Sequence, residues 1–469
     1  MRVQAVGYFA LLFATLAAAQ KQAPLPKDLP PYGPEKPLGA PIVSASKLDN
    51  GLTVWLVQAP GIPQIAFDLA VRGGYAADPV DRPGISKLLA KTVTQGTRTK
   101  SAKEIAQGIQ AAGGDLVAIP SSDSIEMSTT VLSPKADVGI AVLADVAQNA
   151  AFADEEVALA KRNGASDLEQ QQAQASFLAS KALAQEMFGE HPYRVIAPTQ
   201  DSIKASTPAE LRQVYEQRFR PDQALLVAVG DFETDKMLAM IRAHFGGWKA
   251  PVGPPIAVLP ASPHETTHGV FLVPRPGSVQ TTLELGAFGP LRGDADYEAA
   301  QVANAIYGGE FGSRLVLNIR EDKGYTYSPY SYERTLQAAG YYVTRADVRN
   351  EVTGPSLNEI FYELNRMVTT SPSEEELTTA RRYLVGNEAI QLQARSSVAD
   401  ELANIWIDGL PPDEIGTYGR KIAQATAADV NAAARKYFPA AKTTIVAVGE
   451  EKVVREALEP FGIPMRAVQ

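Results

Sequence analysis

Two lysines near the start of the chain have the spacing of side chains that act together on one helix face. Lys87 and Lys91 lie four residues apart in GISKLLAK, residues 84–91, with Ala90 just before the second lysine. Residues four apart in a helix share one face, and like charges there repel by about 0.2–0.5 kcal/mol. Taken alone, the segment is most simply interpreted as a solvated lysine face.

Other chemistry-bearing residues around this segment give little support for a nucleophilic mechanism. Ser86 precedes Lys87, but no histidine lies near it and no Ser-x-x-Lys spacing occurs there. His264 and His268 are four residues apart, but they lie beside a proline-rich stretch and do not suggest a metal site. We interpret His191, in HPY, as a structural turn residue.

The elements around these residues come in blocks. β-rich segments (LTVWLV, IAFDLAV) precede a helical segment (GISKLLAKTVTQ), and a strand-like run (DSIEMSTTVL) and long helices follow. Strands and helices in blocks, with few strand–helix–strand units, predict an α+β layered domain.

Composition limits the class of protein. A chain of 469 residues predicts two or three domains. The formal net charge of −9, with no basic stripe, argues against nucleic-acid binding. No cysteine is present, which excludes disulfides and a lipoprotein anchor.

The N-terminus has the pattern of an export signal. One arginine precedes an apolar run that ends in Ala17-Ala18-Ala19, so we predict a signal peptide over residues 1–19, although an uncleaved anchor stays open. Seven prolines follow, and they predict an extended arm over residues 20–42. No other stretch could span a membrane, and we expect a soluble periplasmic protein.

The rest of the chain contains an internal repeat. Residues 55–70 (WLVQAPGIPQIAFDLA) align without gaps with residues 271–286 (FLVPRPGSVQTTLELG). Residues 207–230 align with residues 426–449, and both segments end in VAVG. We infer a duplicated domain, with copies at 43–250 and 265–469 joined by a proline-rich linker at 251–264.

The duplication and several local motifs resemble the pitrilysin/insulinase family of zinc peptidases, in particular its small two-domain subunits of the mitochondrial-processing-peptidase type. The motifs are RGG at 72–74, HPY at 191–193, VAVGDF at 227–232 and, most specifically, GGEFGSRLVLNIREDKGYTY at 308–327. The resemblance implies two homologous domains, each an antiparallel-rich sheet packed with helices, which together form half of a clam-shell.

Active members of that family carry H-x-x-E-H on the first helix, where two histidines bind zinc and the glutamate is the general base. Aligned with that motif, Lys87 and Lys91 replace the histidines and Ala90 replaces the glutamate. The distant carboxylate ligand falls on or next to Asp167. Protonated lysine is not a metal ligand, so we expect no catalytic zinc and no cofactor on this chain.

We hypothesise that Lys87 or Lys91 pairs with Asp167, which would otherwise be a buried carboxylate without a partner. The alternative is that all three are solvated.

The second half keeps the family's substrate-handling pattern S-R-L-x4-R-x6-Y. The resemblance implies catalytic roles in trans for Arg320 and Tyr327, with Tyr325 as an alternative to the latter. It also implies substrate contacts in the same segment by Gly308, Gly309, Ser313 and Arg314. An arginine can anchor a substrate carbonyl, and a tyrosine hydroxyl can stabilise an oxyanion.

The resemblance thus predicts a zinc-less subunit of a periplasmic heterodimeric metallopeptidase that is not catalytic alone. The predicted partner is a homologous subunit that carries H-x-x-E-H and holds the zinc, and the substrates are peptides. Two alternatives stay open: a non-catalytic scaffold or peptide-binding protein of the same fold, and an independent hydrolase with Ser86 or a lysine as nucleophile.

Overall fold

The computed structural model describes residues 39–256 and 258–468, which belong to one compact unit. The predicted signal peptide at 1–19 and nearly all of the arm at 20–42 lie outside the described residues. Within the described ranges, no helix is both long and apolar enough to cross a membrane.

The first half of the chain builds one six-stranded sheet in the order β1-β2-β6-β3-β5-β4. All neighbouring pairs are antiparallel except β2 and β6. The strands are β1 Val43–Lys47, β2 Thr53–Gln58, β3 Gln64–Arg72, β4 Leu116–Pro120, β5 Ser124–Leu132 and β6 Ala224–Gly230.

The second half builds a sheet of the same size in the order β12-β7-β11-β8-β10-β9. Its strands are β7 Gly269–Pro274, β8 Gln280–Gly289, β9 Tyr330–Leu336, β10 Ala339–Arg349, β11 Thr444–Gly449 and β12 Met465–Ala467. Five strands repeat the arrangement of the first sheet, which confirms the internal duplication. The sixth differs, because β1 pairs antiparallel with β2 whereas β12 pairs parallel with β7.

Helices pack on both sheets. In the first half they are α1 Ile85–Val93, α2 Ala102–Ala111, α3 Ala136–Asn149, α4 Asp154–Gln172, α5 Ala175–Phe188, α6 Gln200–Ala205, α7 Pro208–Arg218 and α8 Thr234–Phe245. In the second half they are α9 Tyr297–Asn304, α10 Arg314–Val316, α11 Thr353–Thr369, α12 Glu374–Gln391, α13 Arg395–Ile407, α14 Tyr418–Gln424, α15 Ala427–Tyr437 and α16 Glu451–Leu458. Two π-helical turns, Ala305–Gly309 and Leu317–Asp322, flank α10. The expected α+β class with two antiparallel-rich sheets is confirmed.

Each sheet is apolar on both faces. Along β2, Val54 and Leu56 point into the core formed with the helices of the first half, and Trp55 and Val57 point to the opposite face. Side chains alternate between faces along a strand, so this sequence places apolar groups on both sides. Both faces therefore have to be covered.

The second face of each sheet is covered by a helix from the other half of the chain. Val398, Leu402 and Ile405 of α13 pack against Trp55 and its neighbours on the first sheet. In return, Leu183, Met187 and Phe188 of α5 pack against strands β7, β10 and β11 of the second sheet. The two halves are thus held together by an exchange of helices.

A glycine allows α5 to approach the second sheet closely. A Cβ atom on Gly286, in β8, would lie 2.4 Å from Met187 Sδ and 2.9 Å from Leu183 Cδ1. These distances are shorter than any normal carbon contact, so a side chain at this position would push the helix away.

We predict that Gly286→Val lowers the free energy of unfolding by about 1–3 kcal/mol, because it overpacks the contact between α5 and the sheet. Urea denaturation of the purified chain measures the change. The control is Gly247→Val, because a Cβ atom at Gly247 would meet nothing within 4 Å. Equal stability of the two variants would contradict close packing of α5 on the sheet.

Candidate functional site

The first helix, α1, is fixed at its N-terminus by a glycine and a proline. Gly84 is the N-cap residue, with φ of 78°, a left-handed conformation that favours glycine. A Cβ atom there would lie 2.2 Å from Pro198 Cα. Ile85, Leu88, Leu89 and Val93 then anchor the helix in the core.

A buried ion pair holds the same end of α1. Arg218, at the end of α7, donates to Asp78 Oδ1 at 2.9 Å, and both side chains are almost completely buried. Arg218 also donates to the Gly73 carbonyl at 3.0 Å and to Ser86 Oγ. Burial raises the pKa of Asp78, against the opposing effect of the Arg218 guanidinium. The pair therefore connects the RGG segment to the first turn of α1.

The same contacts argue against a role for Ser86 as a nucleophile. Its side chain is fully buried, and its hydroxyl donates to Asp78 and accepts from Arg218. The hydroxyl therefore has no access to a substrate, and this burial argues against the independent-hydrolase alternative for Ser86.

The structure forms the hypothesised ion pair, and Lys91 is the lysine involved. The Lys91 ammonium contacts Asp167 Oδ2 on α4. The side chains are 30% and 50% exposed, so the premise that Asp167 is a buried carboxylate is wrong. Within the described residues, Lys87 makes no ion pair, and Ala90 is buried. The Lys91 ammonium thus contacts the carboxylate on or next to which the resemblance places the family's distant zinc ligand.

His191 has the structural role expected from the sequence. Its Nδ1 accepts from the Tyr193 amide at 3.2 Å, and its Nε2 lies 3.0 Å from the Pro260 carbonyl oxygen. The ring therefore closes the turn and ties it to the linker.

In the second half, the structure brings Arg320 and Tyr327 together at the surface. The Arg320 guanidinium lies over the ring of Tyr327 at 5.2 Å and over the ring of Phe311 at 4.5 Å. Tyr327 is 83% exposed and Phe311 is 64% exposed. Arg320 Nε lies 3.1 Å from Glu321 Oε1. The tyrosine next to Arg320 is thus Tyr327 and not Tyr325.

The backbone around Arg320 is unusual. Arg320 belongs to the π-helical turn Leu317–Asp322, a rare conformation that is frequently found at functional sites. The chain then reverses at Gly324, with φ of 62°, and the Tyr325 amide donates to the Ile319 carbonyl at 2.9 Å. This reversal places Tyr327 beside Arg320.

Arg314 and Ser313, which were also expected to contact substrate, are both buried. Arg314 is buried, and it donates to Glu376 at 2.6 and 3.0 Å and to Thr370. Burial would raise the pKa of Glu376, but hydrogen bonds from Arg314 and Ser373 lower it to about 2. Ser313 is buried at the N-cap position of α10, but its hydroxyl makes no hydrogen bond to any described residue. We assign Arg314 to the support of α10.

Close packing explains why glycine occupies positions 308 and 309. A Cβ atom on Gly308 would lie 2.8 Å from Ser331 Cβ, and one on Gly309 would lie 3.1 Å from Asn304 Nδ2. Asn304 and Ser331 hydrogen-bond to each other, with Ser331 Oγ donating to Asn304 Oδ1 at 2.6 Å. The glycines thus let the first π-helical turn pass close to strand β9.

A large cavity lies where the two halves meet. It has a volume of about 930 Å³, and its walls include the segment 120–124 of the first half and parts of α12 and α13 of the second. Of the predicted site residues, none is among those that line it. The cavity is thus separate from both the Lys91–Asp167 pair and the Arg320–Tyr327 pair.

Comparison with known proteins agrees with this geometry. Residues 53–197 match the family described as insulinase (peptidase family M16), and residues 206–384 match the peptidase M16 inactive domain. The chain belongs to the insulinase family, M16. A relative from Rickettsia felis, named an uncharacterized zinc protease, is 25% identical over 86% of this chain and 96% of its own length. One from Streptomyces coelicolor with a similar name is 24% identical over 85% and 87%.

Solved structures of similar proteins have the same fold. A peptidase M16 inactive domain from Pseudomonas fluorescens is 26% identical, with a TM-score of 0.82, and covers 87% of this M16 chain and 98% of its own. A protease from Helicobacter pylori has the same TM-score at 18% identity, over 88% of this chain and all of its own, and supports the fold alone.

Sequence reasoning missed two contributors to these sites. Phe311 lies within the quoted motif, but no spacing rule distinguishes it from the other aromatic residues there. Arg218 lies 140 residues from Asp78, and a lone arginine at a helix end gives no signal of a buried partner.

We predict that the double variant Lys87→His/Lys91→His binds zinc. Histidines at these positions lie one turn apart, and Asp167 already contacts position 91, so three ligands are available. Metal analysis of the purified variant should show about one zinc per chain. The control, Lys87→His/Lys91→Ala, lacks one ligand and should retain none. Absence of zinc from both would mean that the family's metal geometry is not preserved here.

We also predict different costs for breaking the two ion pairs. Arg218→Met leaves Asp78 buried without a partner and should lower the free energy of unfolding by about 3–5 kcal/mol. Lys91→Met breaks a half-exposed pair and should change it by less than about 1 kcal/mol. Chemical denaturation measures both changes, and similar costs would contradict the assignment of Arg218 as the anchor of α1.

Proposed function

We propose that this chain is the zinc-less subunit of a periplasmic heterodimeric metallopeptidase, and that it supplies Arg320 and Tyr327 to the zinc site of a homologous partner. The observation that carries the proposal is the contact of Arg320 with Tyr327 at the surface. The arginine has aromatic contacts on two sides, and the tyrosine is 83% exposed. Apart from its contact with Arg320, the Tyr327 side chain has no evident packing role in the described part of the chain.

The first half supports the same proposal because its first helix has no histidine ligands and no glutamate general base. Lys87, Ala90 and Lys91 stand where a zinc peptidase has its two metal ligands and its general base. A lysine ammonium neither coordinates zinc nor accepts a proton. The chemistry of zinc and of the attacking water would therefore come from the partner, whose H-x-x-E-H helix holds the metal.

The chemistry of the pair suits peptide hydrolysis. Attack on a peptide carbonyl develops negative charge on its oxygen, and a tyrosine hydroxyl aimed at that oxygen stabilises it by a hydrogen bond. The guanidinium can donate to a neighbouring backbone carbonyl of the peptide and hold it in place. Contacts of Arg320 with Phe311 and Tyr327 restrict its rotamers, which reduces the entropy lost on binding.

Export is the part of the proposal that rests on the first 19 residues. Their arginine, apolar run and alanine-rich end are typical of a signal peptide. Cleavage after Ala19 would leave a mature chain that starts at Gln20, which mass spectrometry of the periplasmic fraction detects.

The test begins with the partner. The tagged chain is purified from the periplasm of its host, and proteins present in equal amount are identified by mass spectrometry. We expect one chain of similar length that carries H-x-x-E-H. Recovery of this chain alone, or with unrelated envelope proteins, would favour the scaffold or peptide-binding alternative.

With the complex in hand, we predict that Arg320→Ala or Tyr327→Phe lowers its peptide hydrolysis at least about tenfold. One oxyanion donor typically contributes 10²–10³ in rate. Kinetics on a fluorogenic peptide measure kcat and KM. Controls are the exposed residues Tyr362 and Arg420, changed to Phe and Ala. An unchanged rate in both motif variants, with the complex intact by gel filtration, would rule out the proposed role.

A further inference from the structure

Three carboxyl groups from both halves of the chain meet between the first sheet and α13. Asp68 lies on β3, Glu126 on β5 and Asp400 on α13, and one oxygen from each lies within 4.8 Å of the others. Asp68 and Glu126 alternate with apolar residues of the first core and so lie on the face that α13 covers. The cluster therefore joins residues that are more than 300 positions apart.

One member of the cluster is buried without a partner. The Asp68 side chain is only 3% exposed, and its Oδ1 has no hydrogen-bond partner. An unpaired carboxylate in such a position is costly. Within the described residues, no lysine or arginine forms an ion pair with any of the three groups. Burial and the neighbouring carboxyls raise the pKa of Asp68 and bring that of Glu126 to about 7.

The second half shows how the same position is compensated elsewhere in this molecule. By the offset of the repeat, Asp68 corresponds to Glu284 on β8, which is also buried and faces the exchanged helix. Glu284 has an arginine, Arg345, at 3.8 Å, and Ser180 of α5 donates to it at 3.0 Å. In the second half, the Arg345 guanidinium thus lies near the buried carboxylate. In the first half, the groups near Asp68 are two more carboxyls, those of Glu126 and Asp400.

The cluster is open to solvent on one side. Asp400 is exposed and lines the cavity of about 930 Å³ together with Ser124. The Ser124 hydroxyl donates to Glu126 at 2.7 Å and orients its carboxylate. A hydrated cation that enters the cavity therefore meets Asp400 and Ser124 at its wall, next to Glu126.

We propose that Asp68, Glu126 and Asp400 bind a divalent cation, Ca²⁺ in preference to Mg²⁺, which joins α13 of the second half to the sheet of the first. Hard cations take carboxylate oxygens as ligands, and Ca²⁺ accepts them at about 2.3–2.6 Å in flexible geometry. Oxygens up to 4.8 Å apart fit on opposite sides of Ca²⁺. Mg²⁺ requires about 2.0–2.1 Å and a regular octahedron and gives up its waters reluctantly, so three carboxylates supplied by separate elements suit it less well.

The test uses the full mature chain, treated with a chelator and exchanged into metal-free buffer at pH 8, above the value of about 7 to which the pKa of Glu126 is raised. CaCl₂ is titrated in, and the melting temperature and the heat of binding are recorded. We expect saturable binding of one Ca²⁺ per chain and a rise in melting temperature that follows occupancy. MgCl₂ should give a weaker effect. No binding and no shift at millimolar Ca²⁺ would overturn the proposal.

Variants separate this site from general cation effects. Asp400→Asn removes an exposed ligand, so the fold should persist, and it should weaken Ca²⁺ binding at least about tenfold. Glu126→Gln should act in the same way. The matched control is Asp408→Asn, which removes a carboxylate from the same cavity that already has Arg292 at 3.6 Å. Ca²⁺ affinity equal to wild type in both Asp400→Asn and Glu126→Gln would overturn the assignment.

Discussion

The burial of both faces of both sheets is the constraint on which the rest of this structure depends. Strand β6 is buried at every position, and β3 at all but its ends. A sheet of this kind needs a layer on each side. The helices of one half cover one side only, and the missing layer comes from the other half through α5 and α13. The interface between the halves is therefore part of the hydrophobic core, and neither half completes its core alone.

The same constraint explains why the local fold around α1 does not depend on the side chains at positions 87 and 91. The first helix is held by the core, by Gly84 against Pro198 and by the buried Arg218–Asp78 pair. The Lys91–Asp167 contact is half-exposed and contributes little stability. Metal-binding side chains on the surface of such a helix serve function, because the packing that holds the helix in place does not involve them. Their replacement by lysine changes the chemistry of the surface and leaves the scaffold intact.

The sequence predicted those features of the structure that are determined within one segment of the chain. The repeat, the strands, the first helix and the closeness of Arg320 to Tyr327 all follow from periodicity or from a motif within one segment. The break between α4 and α5 at Ala173 and Gln174 has no glycine or proline to mark it. The corresponding break before α13 has none either. Both exist because the next helix must cross to the other half, which is a tertiary requirement. The exposure of Asp167, the burial of Arg218 and the meeting of Asp68 with Asp400 are also decided by packing between distant segments.

The exchange of α5 and α13 has a consequence for the origin of the molecule. Two similar units that each lend one helix to the other have the arrangement of a domain-swapped dimer, and here a tether joins the two copies. The tether at 251–264 adds no layer to either sheet, and it acts mainly by keeping the two copies at a high effective concentration. An ancestral single-domain chain could have made the same contacts as a symmetric pair. After a fusion of that kind, each copy could change by itself, and surface positions such as Lys91 in the first half and Tyr327 in the second could diverge independently.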